Sequence, residues 1–113
     1  MFKLNLSDSY FWPVTIQLPT DGGKMEKHTF DVQFKRLPQS DVVKLVDRVS
    51  EREATFVDVS KEIVVGWKGI QEPDGTELVF SDSALAKVLE ISGMGSAIAQ
   101  AFLDSARGLK VKN

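Results

Sequence analysis

Cysteine is absent from the 113-residue chain, which excludes disulfide frameworks, thiolate metal sites and cysteine nucleophiles. Its absence agrees with a reducing compartment. Histidine occurs once, at His28, so no site can be built from paired imidazoles. No apolar run approaches the ~18 residues of a membrane span. The first residues, Met1-Phe2-Lys3-Leu4-Asn5-Leu6, alternate apolar and polar side chains instead of forming the apolar block of a signal peptide. The expectation is an intracellular protein with no membrane partner. A net charge of -2 supplies no global positive field, so nucleic acid is not an expected partner either.

What is present is an ordinary globular mixture, with 42% apolar and 27% charged residues, sized for one domain over 1–113. The charges are unevenly placed. Between Glu72 and Asp104 the acids Glu72, Asp74, Glu77, Asp82, Glu90 and Asp104 face Lys87 alone, and then Arg107, Lys110 and Lys112 reverse the sign.

Residues 1–36 read as β. Phe2, Leu4 and Leu6 alternate with polar neighbours, as do Trp12, Val14, Ile16 and Leu18. Pro19-Thr20-Asp21-Gly22-Gly23 is a turn signal. Phe30, Val32 and Phe34 point inward on a return strand, and such a hairpin needs a helical layer over its apolar face. Residues 39–108 read as helical, followed by a basic tail over 109–113. Ser40 is the expected cap of a first helix carrying Val42, Val43, Leu45, Val46 and Val49. Thr55 and Asp58 have the spacing of a capping box. Phe56, Val59, Ile63, Val64 and Trp67 recur at helical intervals, which predicts a second helix ending near Gly69. Gly66 inside it suggests that another backbone passes close. Ser81 caps a third helix with Phe80 stapled to Leu85, and a fourth runs from about Ser96 to Arg107. The predicted class is α+β: an N-terminal antiparallel hairpin or small sheet packed against about four helices. Its core should include Trp12, Phe30, Val32, Phe34, Ile63, Trp67, Phe80 and Leu85.

Catalytic patterns are missing. His28 shares strand parity with Phe30, which suits a partly buried or edge position better than a general base. No serine sits in Gly-x-Ser-x-Gly, and Ser40-Asp41 and Ser60-Lys61 are helix-start and helix-surface pairs. Gly93-Met94-Gly95 lacks the third glycine of a dinucleotide loop, where Ile98 stands instead. Asp74 and Glu77 belong to an acidic turn without the alternating oxygen ligands of a calcium loop. Neither a catalytic residue, nor a metal, nor a cofactor is expected. In Tyr10-Phe11-Trp12 the tryptophan has core parity, while Tyr10 and Phe11 can anchor a partner.

One ordered set of landmarks spans nearly the whole chain. It comprises Met1-Phe2-Lys3-Leu4, Pro13-Val14-Thr15-Ile16, Phe34-Lys35-Arg36-Leu37, Val65-Gly66-Trp67-Lys68-Gly69, Asp74-Gly75, Phe80-Ser81 and the terminal Lys112-Asn113. Together they resemble the tail assembly chaperones of long-tailed (siphovirus-type) bacteriophages and prophages. The resemblance implies a non-enzymatic factor of the bacterial host cytoplasm that is absent from the mature virion. It implies binding to the phage tape measure protein, keeping it soluble while tail tube subunits polymerise around it. A frameshifted longer form of the same chain is a further implied partner.

A chaperone needs accessible apolar surface with charge around it. The sequence candidate is helix four and its flanks, through Met94, Ile98, Phe102 and Leu109, whose small neighbours permit close helix approach. The competing assignment is that helix four completes the core. Self-association at a sheet edge, Phe2–Leu6 or the return strand, is a separate expectation. Two rival functions are another small tail morphogenesis or minor tail protein that stays in the virion, and a nucleic-acid-binding regulator using the basic tail. If helix four is the binding surface, Phe102→Asp spares folding and abolishes partner capture; loss of both, by circular dichroism and pull-down, assigns Phe102 to the core.

Overall fold

The alternation in the first third builds a long hairpin. β1 (Ser9–Thr20) and β2 (Lys24–Lys35) pair antiparallel from Ser9 opposite Lys35 to Thr20 opposite Lys24. The reversal is a short 3-10 turn, Asp21–Gly23, whose Gly22 and Gly23 take φ of 79° and 77°, a left-handed conformation favouring glycine. Pro19 does not end the ladder but pairs with Met25. Pro13 and Pro19 are an even number of residues apart on the edge strand. Proline fits a sheet where its missing N–H faces away from the neighbour, which leaves the free edge of β1 short of donors.

In the computed structural model, which describes residues 1–109, β1 and β2 form a three-stranded antiparallel sheet with β3 (Val64–Lys68), in the order β1-β2-β3. Four helices complete the α+β fold: α1 (Gln39–Ser50), α2 (Phe56–Ile63), α3 (Asp82–Leu89) and α4 (Met94–Ala106). The basic tail beyond Leu109, with Lys110 and Lys112, lies outside the described residues.

Several expectations need correction. Residues 1–6 form no strand, and Phe2, Leu4 and Leu6 are exposed. Alternation alone does not make a strand, because the backbone needs a neighbour and the sheet offers none there. The chain is tied in only from Ser7 and Asp8, whose carbonyls accept from Arg36 Nε and the Arg36 amide. The return strand β2 is central, but β3 pairs only with its residues 31–34, so residues 24–30 keep a free edge on that side. α1 starts at Gln39 behind Pro38 and not at a Ser40 cap.

The largest correction concerns Val64–Gly69. α2 stops at Ile63 and the chain passes directly into β3. Val64 pairs with Phe34, Gly66 with Gln33 and Trp67 with Val32, leaving Val65 as a bulge. A bulge shifts side-chain parity by one. Val64 and Trp67, three apart, therefore both face inward and mimic helical spacing. Trp67 is buried, donates from Nε1 to the Leu78 carbonyl at 2.8 Å and meets Phe80 edge-on at 4.9 Å. Nor does a backbone pass over Gly66: the side chain of Gln33 lies there, its Oε1 2.5 Å from where a Cβ would stand.

Local capping chemistry fell where the residues put it. Thr55 and Asp58 exchange both bonds of the capping box, and Ser81 Oγ accepts from the Ala84 amide at 3.0 Å. Gly93, at φ 85°, separates α3 from α4, which begins two positions earlier than expected.

The core lies between one face of the sheet and the helices. Phe34 of β2 and Phe102 of α4 meet edge-on at 5.4 Å, both fully buried. Phe30, Val32, Ile63 and Leu85 are buried as expected, while Trp12 and Phe80 are half-buried at its margin. α2 and α4 approach closely at Gly95, where an added Cβ would stand 3.0 Å from Val57 Cγ2 and 3.2 Å from the Val57 amide. The buried Ser60 hydroxyl binds the Phe56 and Gly95 carbonyls across the same contact. Gly95→Ala should therefore destabilise the fold by about 1–3 kcal/mol through overpacking, and Ser81→Ala by about 1 kcal/mol through cap loss; urea unfolding measures both.

Candidate partner-binding surface

The structure divides the six candidate contact residues. Met94, Ile98 and Phe102 lie inside the core, so they are corrected from surface to packing residues. Their helix carries almost no charge, and its apolar side is taken up by the sheet and α2. Leu109 is exposed, just past the end of α4. Tyr10 is half-buried. Its hydroxyl is 2.7 Å from Ser105 Oγ, its ring packs on Phe34, and the Arg36 guanidinium stands 4.8 Å from the ring centroid. Those contacts commit Tyr10 to joining β1 and α4. Phe11 points to the opposite face of the sheet, exposed, with Lys68 Nζ 4.0 Å above its ring. The six do not form one patch.

Sequence reasoning passed over α1 and Phe56. The stripe Val42, Val43, Leu45, Val46 and Val49 is wider than the surface available to cover it, and only Leu45 is buried. Val43 stays 45% exposed and Phe56, at the start of α2, 43% exposed. A stripe of that width was the available signal, since a helix buries about a 100°-wide face. Along the α4 side of α1 run two clefts that share Val46. One, of about 90 Å³, lies between Leu45 and Val49 of α1, Phe56 and Val59 of α2, and Phe102 and Leu103 of α4. The other, of about 260 Å³, lies between Val42, Val43 and Asp47 of α1 and Ala106 and Arg107. Together they make an apolar trough with charged groups at one end.

The opposite flank of α1 is polar. A cleft of about 400 Å³ there is floored by Leu37, Leu45 and Ile63 and rimmed by Lys35, Lys44 and Lys61. Across it Arg48 donates from both terminal nitrogens to the two carboxylate oxygens of Glu62, each at 2.9 Å. Hydrogen bonding to Glu62 raises the Arg48 pKa. Both side chains remain substantially exposed, so solvent screens the pair and it holds α1 weakly. The buried Leu45, worth on the order of 1.5–3 kcal/mol, and the half-buried Val42 and Val49 packed on the core hold it more firmly.

Elsewhere the polar groups serve local structure. His28 is exposed, with Nε2 2.8 Å from Glu26 Oε1 on the hairpin. Asp74 has its pKa lowered by the hydroxyl and then the amide of Thr76, which fix its turn. Among the described residues, no group of three or more His, Asp or Glu side chains could hold a metal ion. No helix there is long and apolar enough to cross a membrane. No protein-family model matches the chain, and no curated protein or solved structure is significantly similar to it.

The capping box gives this region an acid dependence. The Asp58 carboxyl is held below its ordinary pKa by the Thr55 amide and then by the Thr55 hydroxyl. A depressed folded pKa contributes stability above the ordinary carboxylate range, and that contribution disappears as pH falls through the folded value. Asp58→Asn should flatten the acid limb of the stability profile below about pH 4, measured by thermal unfolding across pH; an unchanged acid limb would refute the assignment.

Proposed function

We propose that this chain is a non-enzymatic phage tail assembly chaperone that binds the tape measure protein and keeps it soluble while tail tube subunits polymerise around it. The observation that carries the reading is the apolar trough along α1, open to solvent and bordered by Asp47 and Arg107. Such a surface binds apolar helical segments, while the surrounding charge keeps the chaperone itself in solution. The ordered sequence landmarks, from Met1-Phe2-Lys3-Leu4 to Val65-Gly66-Trp67-Lys68-Gly69, support the same reading by resemblance.

On this proposal the chain works in the bacterial host cytoplasm and leaves the particle before maturation. The tail tube protein and a frameshifted longer form of the chain are further partners, the latter sharing the trough. The open face of the sheet around Phe11 and Lys68 is free for contacts among copies.

Co-expression with the tape measure protein of the same genome tests the function. The expected result is a soluble, co-purifying tape measure protein, with the chain missing from purified virions by mass spectrometry. A tape measure protein that stays insoluble and uncaptured would defeat the proposal. The double substitution Val43→Asp and Phe56→Asp should weaken capture about tenfold or more, equivalent to ~1.4 kcal/mol, while the fold is retained in circular dichroism.

A further inference from the structure

We infer that residues 2–6 of one copy of this chain add as a further strand to the free edge of β2 in a second copy. The inference stands apart from the chaperone reading, and no element has to leave its place. It joins two features that the fold leaves unmatched: a segment with a strand's alternation but no neighbour, and a strand edge with no strand on it. Phe2, Leu4 and Leu6 share one parity and are 74%, 89% and 53% exposed. β3 pairs with β2 only from Asp31 onward, so the edge over residues 25–29 is open.

The prolines of β1 show which backbone groups that edge offers. Pro13 and Pro19 have no N–H to give, and they stand opposite Asp31 and Met25. In an antiparallel ladder bonded and non-bonded pairs alternate, and prolines fit the non-bonded ones. The odd-numbered residues of β2 therefore turn their N–H and C=O groups away from β1. Asp31 turns them toward Lys68 of β3. Met25, Lys27 and Thr29 continue the series with no strand to receive them, which makes a template for pairing. The outer edge of β1 is a poorer template, because the same geometry places its two prolines there.

Reach and charge together name the occupant. The Ser7 and Asp8 carbonyls accept from Arg36 Nε and the Arg36 amide, both at 2.8 Å, which ties the segment to the base of the hairpin. From Arg36 to Thr29 the strand runs about 23 Å at ~3.3 Å per residue. Fully extended, the chain from Ser7 to Phe2 spans at most ~18 Å. The segment cannot lie on its own edge, so a second copy supplies it. Run antiparallel, residues 2–6 set Leu6 opposite Met25, Leu4 opposite Lys27 and Phe2 opposite Thr29. Met25, itself 55% exposed, gains apolar neighbours there. Lys3 falls on the other face, diagonal to Glu26 and within reach of it. A slip of one residue toward the turn would reverse the faces and oppose Lys3 to Lys27. Two β2 edges paired about their middle would likewise oppose Lys27 to Lys27.

Complementation tests the pairing. Phe2→Ser with Leu4→Ser and Leu6→Ser removes the donor segment. Lys27→Pro blocks the acceptor edge, at the kind of ladder position that β1 already gives to proline. In sedimentation velocity the parent protein should associate with a Kd below ~100 μM, and each variant about tenfold or more weakly than the parent. Mixed together, the two variants should form a one-to-one heterodimer, since one keeps the edge and the other keeps the segment. A monomeric parent, or a mixture that associates no better than its components, would overturn the inference. Association that survives the triple serine substitution would also overturn it, by assigning the contact to another surface. Should Lys27→Pro lose its circular dichroism spectrum, exposed positions still decide, because the chain has no native cysteine. A short bis-maleimide should couple Leu6→Cys to Met25→Cys protein about tenfold or more over Leu6→Cys to Val79→Cys, a position equally open to solvent. Equal coupling to both would refute the pairing.

Discussion

The contact between Phe34 and Phe102 fixes the rest of the molecule. Phe34 lies on the inner face of the central strand, so it reads the position of both edge strands through their registers. Its ring touches Tyr10 on one side and Phe102 on the other, joining β1, β2 and α4 at one point. Two aromatic side chains buried to this degree dominate a core of this size. Once α4 is committed to Phe34, its apolar residues are unavailable to a partner. The close approach at Gly95 then fixes α2 against α4, with the Ser60 hydroxyl bridging the two helices. What lies outside that contact is peripheral: α1, the outer half of the hairpin and the first six residues.

Legibility in the sequence followed the range of the interactions. The hairpin was readable because Val14, Ile16, Phe30, Val32 and Phe34 alternate over strands long enough to show the period. The caps at Thr55 and Ser81 were readable because a side chain and a backbone amide three residues away decide them locally. The β3 strand was not, because the bulge at Val65 makes a strand imitate a helix in its spacing, and only the partner strand reveals the shift. The N-terminal alternation misled for a related reason: Phe2, Leu4 and Leu6 have the pattern of a strand but no neighbour to pair with. Met94, Ile98 and Phe102 read as a candidate surface because an apolar helix looks alike whether sheet or solvent faces it. The near absence of charge over Met94–Ala106 was the sign that α4 is enclosed, whereas α1 carries Asp41, Lys44, Asp47 and Arg48 between its valines.

That contrast bears on function. A protein proposed to shield apolar helices of another needs accessible apolar surface with charge beside it to stay in solution, and the trough along α1 has that composition.

The division of labour between Phe34 and Phe102 also sets an order of events during synthesis. Phe34 leaves the ribosome with the hairpin, long before the residues of α4 exist. Until α4 arrives, the inner face of β1 and β2 presents Val14, Ile16, Val32 and Phe34 to water, a state prone to aggregation. β3 joins only after α1 and α2 have been made, and α4 closes the face last. A protein whose proposed task is to guard the unfinished parts of others is therefore itself unguarded between the synthesis of its hairpin and that of α4, the helix that ends that exposure.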